Sequence, residues 1–363
     1  MLSPSNHLFL KICIIACAGL LLTSCAAKLR KAETRTAFRF FPPPPAAAKI
    51  QYLTKISSSS DIAGKQSWLK RYIFGEEPDR PIFKPYGIAL KKGKIYICDT
   101  MLPGLEIIDL EASTFEYFTP GGAGELRKPT NCALDDQGNL YIADTGRRQV
   151  VIFDRDLNYK SVIGNGQDMK PTDVALDGDN LLVCDLQNHQ VKVFSRESYR
   201  HLSSFPDQNH NLPGYLYSPT NIYIENDKIY VTDTGDSKVK VFSKDEKFIL
   251  AVGSFGNLTG QFVRPKGVAV DRDGNIFVAD AAFENVQVFN ADGSLLTFWG
   301  GSYKSEGDMY LPAKVAIDYD NLGFFKKYVA PGYKLKYLIF VTNQYGPDKI
   351  GIYGFIGPEG ISE

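Results

Sequence analysis

The sequence is short of the features that mark several familiar classes of protein. Its 363 residues contain 41 Lys and Arg against 41 Asp and Glu, and the resulting formal charge of zero argues against a general affinity for nucleic acid. Only 4 residues are His. No segment carries a G-x-S-x-G, H-E-x-x-H or P-loop pattern, so the common signatures of serine hydrolases, zinc proteases and nucleotide-binding enzymes are absent.

Cysteine is too scarce outside the N-terminal region to build a disulfide framework. Of the 6 cysteines, an odd three lie beyond that region, at Cys98, Cys132 and Cys184. Cys98 and Cys184 occupy the same place in two repeated strands where a third has Ala143, which indicates small buried side chains. We therefore predict free, buried thiols and a core stabilised by packing.

The histidines beyond the N-terminal region do not form a metal pattern. His189, His201 and His210 lack neighbouring Cys or acidic residues at the spacing that zinc ligands show. We predict that they are surface residues, and a zinc-dependent mechanism is disfavoured.

One apolar run is present, near the N-terminus, at residues 8–22. It is too short for a comfortable membrane-spanning helix and predicts a secretory leader over residues 1–24. The residues Leu22-Thr23-Ser24-Cys25 that follow it resemble the bacterial lipoprotein box. The resemblance implies that Cys25 is lipidated after cleavage and that its acyl chains hold the protein at a membrane. An ordinary cleaved leader with an incidental cysteine is the alternative.

The residues after Cys25 predict a spacer and a location in the cell envelope. Residue 26 is Ala and not the Asp associated with inner-membrane retention, which favours the outer membrane of a bacterial envelope. Residues 25–49 contain several basic residues and the run Pro42–Pro45, and such a composition is typical of an extended, semi-rigid spacer.

From residue 85 onward the chain repeats itself at intervals in the mid-forties. A proline opens each unit, at Pro85, Pro129, Pro171, Pro219, Pro265 and Pro312. Each unit then shows a short apolar strand, a turn, a second strand and a third strand with alternating residues, as in NIFVAD and NVQVF of the fifth unit. A more variable fourth strand precedes the next proline. Six such units predict an all-β fold, the six-bladed β-propeller.

The sixth unit has no fourth strand of its own, because the chain ends soon after its third. The segment IQYLTKI at residues 50–56 lies before the first unit and can supply that strand. We therefore predict that an N-terminal strand completes blade six and closes the ring, which removes two open sheet edges. The predicted propeller covers residues 50–356, and residues 357–363 form a C-terminal tail.

The repeats resemble the NHL family. The best copies are PKGVAVDRDGNIFVADAAFENVQVF at residues 265–289 and the units that begin at Pro129 and Pro171. The resemblance implies three kinds of activity, since relatives include metal-assisted lactonases or lyases, RNA-binding domains and domains that bind proteins or ligands. The balanced charge and the exported address disfavour RNA.

A metal-dependent enzyme would need ligands where the first strands begin. Three neighbouring units offer oxygen ligands at equivalent positions there, Asn131, Asp173 and Asn221, which would suit Ca²⁺. The sixth unit offers Lys314 at this position, and we expect this lysine to repel a cation. Side chains that bond to neighbouring loops at the channel mouth are the alternative.

The second strands end in a recurring carboxylate or amide. A residue repeated once per blade is most simply a turn cap. The recurring carboxylates are Asp99, Asp144, Asp185, Asp233 and Asp280, and the second strand of the sixth unit ends in Asn343 instead.

A binding surface is predicted in the insertion of the sixth unit, residues 321–337, where aromatic residues alternate with lysines around a Pro-Gly turn. The candidate partner-binding residues are Phe324, Phe325, Lys326, Lys327, Tyr328, Tyr333 and Tyr337. A projecting hairpin and a segment folded flat over the propeller are both compatible with the pattern. The loop at residues 207–217 is a second candidate.

These observations predict a membrane-anchored envelope lipoprotein whose propeller is a protein- or ligand-binding scaffold. We expect no catalytic residue and no cofactor, with the lipid on Cys25 and an envelope protein as partners. The alternative is a Ca²⁺-dependent hydrolase or lyase with Asn131, Asp173 and Asn221 at the channel mouth.

Overall fold

The structure is a computed structural model that describes residues 38–63, 72 and 78–360. These residues form six antiparallel sheets of four or five strands. The predicted leader and Cys25 lie outside the described residues. Within the described part of the chain, no helix is long and apolar enough to cross a membrane.

The strands follow the predicted repeat unit by unit. Before the first repeat come β1 (Arg39–Phe41) and β2 (Ile50–Ile56). Blade one contains β3 (Pro85–Lys91), β4 (Lys94–Asp99), β5 (Gly104–Asp109) and β6 (Thr114–Phe118). Blade two contains β7 (Pro129–Leu134), β8 (Leu140–Asp144), β9 (Gln149–Phe153) and β10 (Tyr159–Ile163). Blade three contains β11 (Pro171–Asp177), β12 (Asn180–Asp185), β13 (Gln190–Ser195) and β14 (His201–Phe205).

The second half of the ring is built in the same way. Blade four contains β15 (Pro219–Glu225), β16 (Lys228–Asp233), β17 (Lys238–Ser243) and β18 (Phe248–Val252). Blade five contains β19 (Pro265–Val270), β20 (Ile276–Asp280), β21 (Asn285–Phe289) and β22 (Leu295–Gly300). Blade six contributes β23 (Pro312–Asp318), β24 (Tyr333–Asn343) and β25 (Ile350–Pro358). Short helices are α1 (Ser60–Ala63), α2 (Leu322–Phe325) and the 3₁₀ turns Gly122–Gly124 and Lys326–Tyr328.

The first strand of every blade lies at the centre of the ring. β3 contacts β7, and the contacts continue through β11, β15, β19 and β23 back to β3. Blades three and six are therefore diametrically opposite. The second strands are buried on both faces because each blade is covered by its neighbours, as in β12, where only Asn180 is partly exposed. The predicted six-bladed β-propeller is confirmed.

The ring closes as predicted, with an N-terminal strand in blade six. β2 pairs antiparallel with β25, and Tyr52 lies opposite Tyr353. The closing strand also contributes to the core, since Ile50 and Ile56 are buried. Blade six thereby joins the two ends of the described chain.

In the structure the propeller begins earlier than predicted, at strand β1. β1 pairs with β2 as a fifth strand of blade six, with Phe40 opposite Gln51. The Arg39 guanidinium donates hydrogen bonds to Ser305 Oγ (2.8 Å) and to the Asp308 carboxylate. The sequence prediction had assigned residues 39–41 to the tether, because their basic and proline-rich surroundings hid a strand of three residues. In the structure these residues belong to the blade.

The three body cysteines, Cys98, Cys132 and Cys184, are free and buried, which confirms the prediction for them.

Candidate binding face and channel mouth

One face of the propeller carries the starts of all six inner strands, and we call it the upper face. Pro85 at the start of β3 pairs with Asp99 at the end of β4, and the same register recurs in the other blades. The connections between blades and the turns between second and third strands therefore lie on this face. The opposite, lower face carries the remaining turns.

The recurring carboxylates hold these upper turns together, which confirms that they are turn caps. Asp144 accepts hydrogen bonds from the backbone N–H groups of Arg127 (2.7 Å) and Gly146 (2.9 Å), one on each side of it. Asn343 plays the same part in blade six, where its Oδ1 accepts the Tyr310 N–H at 3.1 Å. These residues are therefore not available as a ring of ligands.

The third residue of each inner strand forms a layer at the mouth of the central channel. The six residues are Gly87, Asn131, Asp173, Asn221, Gly267 and Lys314. Asn131, Asp173 and Asn221 come from three successive blades, as the sequence predicted. All three side chains are buried.

An ion pair crosses this layer between opposite blades. Lys314 Nζ of blade six lies 2.5 Å from Asp173 Oδ2 of blade three, and both residues are buried. Asp173 also accepts the N–H groups of Val174 (2.9 Å) and Ile222 (3.0 Å). In the structure the Lys314 ammonium is itself the cation that Asp173 binds, and the repulsion of a metal cation by Lys314 stays a prediction.

Burial and pairing act on Asp173 in opposite directions. Burial raises the pKa of the Asp173 carboxyl above its ordinary value, because a low dielectric disfavours the charged form. The Lys314 ammonium and the two N–H donors oppose that rise. Asp173 therefore depends on Lys314 for the stability of its negative charge.

The two asparagines leave unpaired acceptors beside this pair. Asn131 Nδ2 donates to Thr172 O (2.8 Å) and Asn221 Nδ2 donates to Thr220 O (2.9 Å). Among the described residues, neither Oδ1 atom has a hydrogen-bond partner, although both are buried. Such atoms are costly unless a solvent molecule or a ligand reaches them.

The Asp173 carboxylate and the two asparagine Oδ1 atoms are a poor set of ligands for a resident Ca²⁺ ion. Ca²⁺ takes six to eight oxygen ligands, with carboxylates to balance its charge. The layer offers one carboxylate, which an ammonium already neutralises, and two amide oxygens. No group of three or more His, Cys, Asp or Glu side chains is arranged for a metal among the described residues.

Glycine at two positions of the layer is dictated by the approach of the neighbouring strand. A Cβ atom on Gly267 would lie 2.6 Å from the backbone Cα of Lys314, and one on Gly87 would lie 2.5 Å from Thr130 O. The glycines therefore let adjacent inner strands approach each other closely at the channel mouth.

Exposed large apolar side chains are concentrated on the upper face. Nine of them lie in its loops: Phe83, Met101, Leu212, Tyr217, Phe255, Leu258, Val263, Tyr310 and Tyr345. Phe255 is 73% exposed and Met101 is 69% exposed. Among the described residues, none of the large apolar side chains found exposed lies in a turn of the lower face. The two faces thus differ in what they present to solvent.

The predicted partner-binding insertion folds flat against the propeller. Phe325 and Tyr337 are buried, and the Tyr337 ring stacks on Phe355 with centroids 4.7 Å apart. The buried Gln51 of β2 donates to Tyr328 O at 2.8 Å and so fixes the segment to the closing strand.

This arrangement corrects the prediction for Phe325 and Tyr337, whose rings are inaccessible to a partner. Phe324, Tyr328 and Tyr333 are half-buried against the core, whereas Lys326 and Lys327 are exposed. The sequence pattern did not distinguish the two arrangements because aromatic residues alternating with lysines are equally typical of a folded, half-exposed segment. Binding by the exposed lysines stays a prediction.

The second predicted loop borders a cavity. The cavity has a volume of about 410 Å³ and lies between blades three and four. Its apolar lining includes Phe205, Phe242 and Phe248, and its carboxylates are Asp207, Asp245 and Glu246. Among the described residues no Lys or Arg lines it, so this lining is acidic.

Comparisons with known proteins agree with this architecture. Residues 214–353 match a family profile described as a 6-bladed beta-propeller, and residues 169–194 match the NHL repeat. No curated protein sequence matches the chain.

Several solved structures share the fold at low sequence identity. A structural genomics protein of unknown function from Bacteroides thetaiotaomicron is 17% identical with a TM-score of 0.59, over 85% of this chain and 76% of that chain. A gluconolactonase from Xanthomonas campestris is 15% identical with a TM-score of 0.56, over 84% and 89%. Virginiamycin B lyase from Staphylococcus aureus is 12% identical with a TM-score of 0.52, over 77% and 85%. Identities this low show a common fold alone.

Proposed function

Because the chain is a six-bladed β-propeller with NHL-type repeats, we propose that it is a lipid-anchored envelope protein that binds a partner or ligand through its upper face. One observation carries the choice of face. The exposed aromatic and apolar side chains of the loops lie on the upper face, as Phe255 and Tyr345 do. Binding surfaces are enriched in such residues.

The channel mouth supports binding over metal-dependent hydrolysis. The Asp173 carboxylate is the one acid in the axial layer, and Lys314 already neutralises it. We therefore propose that the protein works without a resident metal, and that Asn131, Asp173 and Asn221 shape the mouth and do not hold Ca²⁺.

The anchor is proposed from the sequence alone. Leu22-Thr23-Ser24-Cys25 matches the lipoprotein box, and acyl chains on Cys25 would hold the propeller close to the outer membrane. An anchored propeller would meet its partner within the envelope, and nucleic acid is not among the partners we propose.

Site-specific photo-cross-linking in intact cells tests the proposal. A photoreactive residue at Phe255, on the upper face, is expected to yield discrete adducts because this side chain lies in the proposed interface. The matched control is Leu202, which is 56% exposed on the outer strand β14, and we expect no adduct from it. Equal adducts from both positions, or none from Phe255, would contradict the proposed face.

A second arm of the same experiment tests the anchor. The variant Cys25→Ser is expected to move the protein from the membrane fraction to the soluble fraction and to weaken the Phe255 adducts. If Cys25→Ser protein stays in the membrane fraction, the lipid anchor is wrong, whatever the adducts show.

A further inference from the structure

Lys266 is a buried lysine on the upper face for which the described residues provide no acidic partner. Three lysines are buried among the described residues: Lys240, Lys266 and Lys314. Lys240 lies 3.1 Å from Asp233, and Lys314 lies 2.5 Å from Asp173. Lys266 is 7% exposed, and no carboxylate of the described chain forms an ion pair with it. A buried ammonium without a counter-ion is costly and calls for an explanation.

The surroundings of Lys266 are polar and aromatic but not acidic. Its Nζ donates to Gln344 Oε1 at 3.1 Å and lies 4.9 Å from the centre of the Tyr86 ring. Lys266 belongs to blade five, Gln344 to blade six and Tyr86 to blade one. The ammonium therefore lies where three blades meet at the channel mouth.

Two more cations lie close enough to act on Lys266. Burial and the charges of Arg264 and Lys84 lower the pKa of Lys266 to about 8. The Lys84 ammonium donates to Tyr345 Oη at 2.8 Å, and Arg264 is exposed. Neither forms an ion pair with a carboxylate of the described residues. Three positive charges thus converge on one side of the mouth.

Blade six lacks the negative charge that would neutralise these three cations, because its turn cap is not an aspartate. The turn cap at the end of its second strand is Asn343, where the other five blades have Asp. Asn343 keeps the capping hydrogen bond to Tyr310 N–H but carries no charge. The next residue is Gln344, which contacts Lys266. Blade six therefore keeps the capping hydrogen bond but offers no carboxylate at this position to the three cations.

We propose that Lys266, Arg264 and Lys84 form a binding site for a small molecule that carries an oxyanion, either a carboxylate or a phosphate group. An oxyanion there would supply the counter-charge that the described chain does not provide, and charge-assisted hydrogen bonds to Lys and Arg are the strong ones. The exposed Arg264 would receive the anion from solvent, and Lys266 would hold it at the floor beside Tyr86. This proposal rests on the proposed upper-face function and names the chemistry that this face recognises.

Titration of the full-length protein in detergent with inorganic phosphate, and separately with acetate, tests the site by calorimetry. Both anions are expected to bind the wild type, and the tighter one identifies the group. Arg264→Gln is expected to weaken binding about tenfold. The matched control is Lys170→Gln, because Lys170 also precedes the opening proline of a blade and is exposed, but lies in blade three. Its effect is expected to stay within about twofold.

A second variant separates ligand binding from folding. Lys266→Met is expected to abolish anion binding while the protein still melts cooperatively, because the substitution removes an unpaired buried charge. The proposal is overturned if neither anion binds the wild type. It is also overturned if Lys170→Gln weakens binding as much as Arg264→Gln, which would indicate a diffuse positive surface. Phe255 adducts that persist in Arg264→Gln would leave the proposed function intact.

Discussion

Replacing Lys314 by Met is expected to lower the free energy of unfolding by about 3 to 5 kcal/mol, which is the usual penalty for leaving one partner of a buried ion pair alone. Without the ammonium, Asp173 keeps only two N–H donors in a site where burial already raises its pKa. Chemical denaturation of the full-length protein at pH 7 measures the loss. The exposed Lys304 lies on the same face, and Lys304→Met is expected to change stability by less than about 0.5 kcal/mol.

A double substitution shows whether the loss arises from the pair. In Asp173→Asn/Lys314→Met no charge is stranded, and the Asn oxygen still accepts a backbone N–H group. We expect its stability to return to within about 1 kcal/mol of the wild type, because neutral replacement of a buried pair is often nearly free of cost. A double variant as unstable as Lys314→Met, or a single variant as stable as the wild type, would contradict this account of the mouth.

The second large effect is expected at Glu106, a buried carboxyl in β5 of blade one. Burial, and then the charge of Asp99, raise the pKa of Glu106 to about 9. The Asp99 carboxylate accepts backbone N–H groups, among them Lys84 N–H at 2.6 Å, whereas neither carboxyl oxygen of Glu106 has a hydrogen-bond partner among the described residues. In the equivalent position blades three and four have Lys192 and Lys240, each paired with the turn-cap Asp of its own blade. Blade one thus places an acid where blades three and four place a base.

Glu106→Gln is expected to raise the free energy of unfolding by about 3 kcal/mol at pH 7. Between pH 4.5 and about 9 the folded protein keeps the Glu106 proton while the unfolded chain releases it. Wild-type stability contributed by this group therefore falls as the pH rises through that interval, and Gln removes the dependence.

Urea unfolding at pH 4.5, 7 and 9 measures the effect. The advantage of Glu106→Gln is expected to be small at pH 4.5 and to grow toward pH 9. Glu116→Gln is the control, because Glu116 lies in the same blade and is exposed. A difference between Glu106→Gln and the wild type that does not vary with pH would show that Glu106 is not protonated in the folded protein.

The repeat made the fold readable from the sequence. Six prolines in register and second strands ending in Asp or Asn predicted six blades, and the missing fourth strand of the last unit predicted closure by residues 50–56. Strand β1 escaped prediction because its three residues precede a proline run that resembles a spacer. Local pattern therefore identified the repeat but not its short irregular addition.

The site was predictable only in part. Register placed Asn131, Asp173 and Lys314 in equivalent positions of different blades, which the structure confirms. It did not show that the Lys314 side chain spans the mouth to blade three, because that contact depends on the width of the ring. The Lys314 ammonium therefore reaches Asp173, a contact that the sequence did not predict.

The cation cluster was missed, although two signals were present in the sequence. Lys266 occupies a position where blades two to four have Thr, and blade six has Asn343 where the others have Asp. Each is unremarkable in a single repeat. Their juxtaposition across neighbouring blades becomes visible only when Lys266 Nζ is found 3.1 Å from Gln344 Oε1.

The central claim is that an ammonium, and not a divalent metal, neutralises Asp173 at the channel mouth. The most direct test is calorimetric titration of the full-length protein with Ca²⁺, with elemental analysis and melting in parallel. We predict no bound equivalent of calcium and no change in the melting temperature. One bound equivalent that raises the melting temperature, and that disappears in Asn131→Ala/Asp173→Ala, would contradict the claim and favour a metal-dependent hydrolase.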